Sequence, residues 1–247
     1  TGSGKSLVIS DLCHKLDEPV LILQPSKEIL RQNFKKLASY RIFDMGIYSA
    51  SFDSKSIDKF TFATIGSIYK KPELFKKFKR VRIDDCHLVN PKKLKGMYNQ
   101  FFNYLGITNI CGLTATPYRM VMKTFRTGDE LFTSASISTI NRIHPFFFKK
   151  FAFQISIQKL LEQGYLSPLE YKFYEDFDVS NLKMNSTGAD YDERSLEQFW
   201  TDEKMKKLSL IIQEIDQNCK HNLVFCSSIK QASRCMEMAK SMGLSAS

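Results

Sequence analysis

Six residues at the start of the chain, Thr1-Gly2-Ser3-Gly4-Lys5-Ser6, have the types and spacing to hold a chain of phosphates. They match the back half of the pattern G-x-x-x-x-G-K-[ST]. Glycines let backbone N–H groups approach phosphate oxygens with no side chain between them. Lys5 would reach the β and γ phosphates, and the Ser6 hydroxyl would ligate Mg²⁺. Leu7-Val8-Ile9-Ser10-Asp11-Leu12 reads as a helix, whose N-terminal partial charge would face the same anions. A hydrated Mg²⁺ also needs a carboxylate. Asp84-Asp85 follows the apolar strand Val81-Arg82-Ile83 and supplies one: Asp84 as second metal ligand, Asp85 as the group that orients or deprotonates an attacking water. A Gly-Ser turn before a lysine explains the first stretch alone, and helix capping explains the second alone. Their combination points to a site for the phosphates of a Mg²⁺-bound nucleotide.

The elements that must position these residues alternate strand and helix. Pro19-Val20-Leu21-Ile22-Leu23 is apolar without alternation, as a strand buried on both faces must be. Ser26 is placed to cap a helix through about Leu37. Met45 to Ala50, Phe60 to Thr64, Val81 to Ile83 and Asn109 to Leu113 read as further strands. Helical starts follow at Ile65 and after Pro91, and a basic, helix-like stretch spans Lys70 to Arg80. This order predicts an α/β fold with a doubly wound parallel sheet. The candidate site residues fall just after strands, where such sheets form their ligand crevice. From Tyr118 to about Phe153 the pattern weakens. Ile155 to Leu166 reads as a helix closing at Gly164, and residues 178–192 as a polar loop. A helix from about Arg194 or Asp202 to Asn218, a buried strand Leu223-Val224-Phe225-Cys226, and a helix Ile229 to Met242 capped by Ser227-Ser228 complete the reading.

The chain has 247 residues, with 36 Lys+Arg against 26 Asp+Glu, a formal charge of +10 and a pI near 9.2. That excess favours a polyanionic partner, nucleic acid before an anionic membrane surface. A lysine-rich solvent face is the plain alternative. The cysteines Cys13, Cys86, Cys111, Cys219, Cys226 and Cys235 form no C-x-x-C pair and read as reduced thiols of a cytoplasmic or otherwise intracellular protein. No apolar run is long enough to span a bilayer.

The order of motifs resembles the superfamily 2 helicases and translocases of DEAD/DEAH-box type. Thr1 to Ser6 match motif I, Gln24-Pro25-Ser26-Lys27-Glu28-Ile29-Leu30-Arg31-Gln32 motif Ia, and Ala63-Thr64-Ile65-Gly66-Ser67 motif Ib. Asp84-Asp85-Cys86-His87 match motif II, Gly112-Leu113-Thr114-Ala115-Thr116-Pro117-Tyr118-Arg119 motif III, and Leu223 to Ser228 motif IV. Thr114 to Arg119 with Leu160-Leu161-Glu162-Gln163-Gly164-Tyr165-Leu166-Ser167-Pro168 look most like the RadD-like and restriction-enzyme-type DNA helicases. The resemblance implies a RecA-like ATP-binding domain over 1–153, a connecting helix and linker over 154–170, and the start of a second RecA-like domain over 171–247. It implies nucleic acid as partner, DNA before RNA, bound through Pro25, Ser26, Thr64, Gly66, Ser67 and Ser227 at the phosphodiester backbone. It implies that Thr114 and Thr116 couple nucleotide state to strand binding, that His87 links motif II to them, and that Lys5, Asp84 and Asp85 act in hydrolysis. The chain itself is expected to be monomeric and free of membrane.

Three departures qualify the resemblance. Asp85 stands where the family usually has Glu, which draws the carboxylate back by about 1.5 Å, one carbon–carbon bond. Motif I is expected to begin upstream of Thr1, and motifs V and VI, with their arginine fingers, downstream of Ser247. An arginine finger contributes on the order of 10³-fold or more in rate, so weak turnover is expected of residues 1–247. Three readings follow: an ATP-driven nucleic-acid motor, a hydrolysis-impaired ATP-dependent nucleic-acid binder, and an unrelated phosphate-loop enzyme such as a small-molecule kinase. The last leaves Thr114 to Pro117 unexplained.

Overall fold

The computed structural model describes residues 3–16, 18–90, 95–128, 130–168, 170–174, 177–185, 191–219 and 221–246. It divides into two compact units, Thr1–Pro168 and Leu169–Ser247. The first is built on a six-stranded sheet of order β3-β2-β4-β1-β5-β6. The strands are β1 (Val20–Gln24), β2 (Met45–Ser49), β3 (Ser54–Lys55), β4 (Phe60–Thr64), β5 (Arg80–Asp84) and β6 (Asn109–Leu113). All neighbours pair in parallel except β3, which runs antiparallel to β2.

Every residue of β1 is buried, as an unbroken apolar strand between two helix layers requires. Its side chains alternate between the layers. Leu21 and Leu23 join one core with Val81 and Ile83 of β5, α3 (Ile65–Ile68) and α4 (Met97–Leu105). Val20 and Ile22 join the other with Ile9 and Cys13 of α1 (Lys5–His14) and Leu30 and Leu37 of α2 (Lys27–Ala38). Because Val81 and Ile83 face one layer, Arg82 and Asp84 face the other, the side of α1 and α2. That alternation brings Asp84 toward the phosphate loop.

Ser26 caps α2 as expected, its Oγ accepting a hydrogen bond from the Ile29 N–H at 3.3 Å; such a cap is worth about 1 kcal/mol. The basic stretch before β5 forms one 3₁₀ turn, Pro72–Phe75, instead of an α-helix. Phe75 and Phe78 are both fully buried, and this i, i+3 spacing draws the segment onto the core. The part of the expected Pro91 helix over 91–94 lies outside the described residues, and α4 opens at Met97 after Gly96.

Beyond β6 the weakly patterned stretch forms an antiparallel hairpin of β7 (Tyr118–Thr127) and β8 (Glu130–Thr139). It pairs from Tyr118↔Thr139 to Thr127↔Glu130, with Gly128 left-handed at the tip (φ 63°). Ten residues per strand extend about 30 Å. Tyr118, Met120, Met122, Phe125, Phe132 and Ile137 are all exposed. Apolar residues therefore stand on both faces, and the single-face alternation that marks a half-buried strand is missing. The Ile140 N–H donates to Pro117 O at 2.9 Å across the base, and α5 (Ile157–Glu162) follows, capped by Ser156.

The second unit holds α6 (Glu193–Phe199), α7 (Asp202–Asn218) and α8 (Ile229–Ser241), capped by Asp192, Thr201 and Ser228. The expected buried strand Leu223–Cys226 is not formed. Leu223 and Phe225 are 79% and 89% exposed, because no neighbouring strand among the described residues of this unit offers it a ladder.

Candidate functional site

The segments singled out by sequence leave one edge of the sheet. Gln24, ending β1, lies beside Thr64, ending β4. Leu23 pairs with Ile83, and Asp84 with Leu113. Parallel strands in register therefore deliver Pro25-Ser26, Thr64 to Ser67, Asp84 to His87 and Thr114 to Thr116 to the same carboxyl end, as a crevice-forming α/β sheet does.

On the phosphate-loop side, Thr1 and Gly2 lie outside the described residues. Ser3 precedes Gly4, which takes a left-handed conformation (φ 74°, ψ 29°) as the residue before α1. Only glycine adopts this routinely, and it turns the chain so that Lys5 and Ser6 open the helix. The first turn of α1 carries no acidic side chain, so nothing there repels a phosphate. The Lys5 ammonium is close enough to Asp84 to favour its ionised form.

Asp84 is 5% exposed. Its Oδ2 accepts a hydrogen bond from Asn33 Nδ2 at 2.9 Å, and its Oδ1 accepts one from the Asp85 N–H at 3.1 Å. Burial pushes the carboxyl above the ordinary range; the Asn33 bond opposes this, the Asp85 charge adds to it, and Lys5 opposes it. Asn33 Nδ2 also donates to Gln24 Oε1 at 3.0 Å. Gln24 and Asn33 are buried, yet Gln24 Nε2 and Asn33 Oδ1 have no hydrogen-bond partner. A buried carboxylate with an unpartnered amide oxygen in the same network suits Mg²⁺, a hard cation that keeps several waters. Among the described residues no three or more His, Cys, Asp or Glu side chains gather as a metal cluster. Ser6 and Asp84 would therefore hold the ion together with nucleotide phosphates, the usual arrangement for Mg²⁺.

Asp85 has φ 48° and ψ 47°, a left-handed backbone that Asp tolerates better than most residues. This sharp turn ends β5 and leaves the Asp85 side chain half-buried at the crevice. Cys86, next in the chain, is buried, and burial pushes its thiol up to about 12. It packs so closely against β6 that only a glycine fits opposite it, at position 112.

His87 Nδ1 and Thr114 Oγ1 are hydrogen-bonded at 2.8 Å. Thr114 Oγ1 also accepts from the Thr116 N–H at 3.1 Å. Arg119, at the base of the hairpin, donates from Nη1 to His87 O at 3.1 Å. The turn after β5 and the turn after β6 are thus joined by polar contacts, and the root of the hairpin is joined to both.

At the other side of the crevice Thr64 and Ser67 belong to a hydroxyl cluster. Thr64 Oγ1 and Ser67 Oγ are 2.9 Å apart, Ser49 Oγ and Ser51 Oγ 3.0 Å, and the Ala50 N–H donates to Ser67 Oγ at 3.0 Å. A cavity of about 140 Å³ adjoins them, lined in part by Lys55 and Lys71. Gly66 is exposed and Ser26 half-buried at the start of α2. Ser227 belongs to the second unit, where its Oγ donates to Gln231 Oε1 at 2.7 Å. Sequence reasoning passed over Gln24, Asn33, Ser49, Ser51 and Lys55. Gln24 had a signal, its place at the end of a buried strand, whereas Asn33 had none.

Residues 1–119 match the family described as the type III restriction enzyme, res subunit. This agrees with the resemblance to restriction-type helicases of superfamily 2 and with a RecA-like, phosphate-loop fold for the res-subunit domain. No curated protein matches the sequence. Among solved structures, the UvsW helicase from bacteriophage T4 shares 18% identity over 45% of this chain and 51% of its own, with a TM-score of 0.35. A second T4 UvsW structure gives 20%, 44%, 24% and 0.34. A nuclease-deletion mutant of the type ISP restriction-modification enzyme LlaGI, in complex with a DNA substrate mimic, gives 17%, 47%, 13% and 0.35. At these scores the likeness is partial, and the chain spans 51% or less of each of these proteins.

Proposed function

We propose that this chain is the ATP-binding part of an ATP-dependent nucleic-acid motor that hydrolyses Mg²⁺-bound ATP, with DNA preferred to RNA. The observation that carries the reading is the arrangement around Asp84. A buried carboxylate at the end of β5 lies within electrostatic reach of Lys5, and the next turn is hydrogen-bonded through His87 to Thr114. Lys5 binds phosphate, Ser6 and Asp84 hold the cation, Asp85 orients the attacking water, and His87 with Thr114 and Thr116 relays the state of the site. Pro25, Ser26, Thr64, Gly66 and Ser67 offer small hydroxyls and backbone groups to a phosphodiester chain, which suits binding with little sequence preference. In this reading residues 171–247 begin a second RecA-like domain, and Ser227 is its own proposed contact with a phosphodiester backbone. An intracellular setting accords with free thiols at all six cysteines. No helix among the described residues is long and apolar enough to cross a membrane.

The test is ATP turnover with single-stranded DNA, duplex DNA and RNA, alongside Lys5→Ala. Nucleotide binding that is lost in Lys5→Ala, and turnover that rises with DNA more than with RNA, are the expected results. Turnover indifferent to every nucleic acid would remove the motor reading. A second reading, a hydrolysis-impaired ATP-dependent nucleic-acid binder, draws on the short side chain of Asp85 held in a left-handed turn. Asp85→Glu separates the two: a large rise in turnover favours the impaired binder, a fall the adapted motor. Asp85→Asn keeps a side chain that tolerates the turn, so its loss of activity reports the carboxylate alone.

A further inference from the structure

Gln24, Asn33 and Asp84 form a buried polar chain between two places with different proposed tasks. Gln24 ends β1 and its next residues are Pro25 and Ser26, assigned above to nucleic-acid contact. Asp84 ends β5 and is assigned to the cation. Asn33 stands between them and donates from one nitrogen to both, at 3.0 and 2.9 Å.

This chain is poorly explained as a device for stability. Each buried polar group without a partner is destabilising, and replacing both members of such a pair by apolar groups of similar shape is often neutral or favourable. Here Gln24 Nε2 and Asn33 Oδ1 are both unpartnered. Residues that could make this layer wholly apolar are close at hand, since Leu30 and Leu37 flank Asn33 on the same helix and are fully buried. Asn33 itself is 1% exposed. The Ser26 cap fixes the start of α2 to the end of β1. A displacement at Pro25-Ser26 therefore reaches Asn33 by two routes, along the helix and through Gln24.

We infer that Asn33 is a positioning residue that links strand contact at Pro25-Ser26 to the Asp84 carboxylate, so that nucleic acid and Mg²⁺-nucleotide each alter the affinity for the other. The inference rests on the function proposed above. It is tested on the 247-residue chain by binding alone: the affinity for a labelled oligo-dT, measured with and without Mg²⁺ and a non-hydrolysable ATP analogue. Linkage requires the reciprocal shift to be equal. The wild-type chain is expected to show a shift of about fivefold or more, the lower end of ordinary coupling. Asn33→Leu should abolish most of it while still binding each ligand separately, and it should melt below wild type because Gln24 Oε1 and Asp84 Oδ2 lose their donor. Gln24→Met reads the same link by a different side chain and decides the matter if Asn33→Leu does not fold. A wild-type chain that binds neither ligand overturns the proposed function and this inference together. A wild-type chain that binds both, with no linkage or with linkage retained in the folded variants, overturns the inference alone.

Discussion

At Gly112 strand β6 lies directly against the turn that follows β5. A Cβ added there would lie 2.6 Å from Cys86 Cβ, 2.6 Å from Cys86 Sγ and 2.8 Å from Phe148 Cε1. Carbon atoms prefer about 3.5–4.0 Å, so Gly112→Ala creates overlaps near 1 Å. Strand β6 cannot retreat, being paired with β5 from Arg80↔Asn109 to Asp84↔Leu113. Cys86 is buried and follows Asp85 in its left-handed turn, so it yields only by moving that turn. Overpacking of this kind costs about 1–3 kcal/mol, and each kcal/mol lowers the melting temperature of a chain this size by about 2–4 °C. Gly112→Ala should therefore melt roughly 2–12 °C below wild type and bind Mg²⁺-nucleotide more weakly, since Asp84 and Asp85 shift with Cys86. Cys86→Gly removes both close atoms on that side. The four-member cycle of wild type, Gly112→Ala, Cys86→Gly and the double variant, followed by circular dichroism on heating, should give a double variant less destabilised than the sum of the singles. Additive losses, or a Gly112→Ala chain that melts and binds nucleotide as wild type does, would refute this packing of β6 against the turn.

Two further substitutions separate structure from chemistry. Ser26→Asp keeps a side chain that caps α2 equally well and suits the helix N-terminus, but it sets a negative charge where a phosphodiester strand is proposed to lie. Its melting temperature should match wild type while oligo-dT affinity falls, and equal affinity would take Ser26 out of the contact surface. Asp84→Asn tests the cost of the buried carboxylate. Burial holds its pKa above the unfolded value, so the folded chain binds that proton more tightly, and stability falls as pH rises through the carboxylate range. In a metal chelator, Asp84→Asn should melt above wild type at neutral pH and equal to it in acid, with Mg²⁺-nucleotide binding impaired throughout.

The sequence by itself determined the layered architecture and half of the site. A strand buried between two helix layers is mostly apolar, so Val20 to Leu23 announces itself without tertiary information, and Phe60 to Ala63 and Val81 to Ile83 do so through the apolar residues on either side of Thr61 and Arg82. Capping is equally local: Ser26 and Ser228 bond to N–H groups three residues on, and Gly4 is the residue type its left-handed turn needs. Phosphate-loop chemistry is local too, because glycine, lysine and serine act from consecutive positions. Pairing partners are not local. Leu223 to Phe225 has a strand's composition, but a strand is buried only where another lies beside it, and here it is exposed. The β7–β8 hairpin carries apolar residues on both faces and so lacks the periodicity that would reveal it. Asn33 is the sharpest case. In sequence it is one polar residue among several on an amphipathic helix, 51 positions from Asp84. Only the packing of α2 across β1 and β5, with Asp84 turned to that face by strand alternation, makes it a neighbour of the carboxylate.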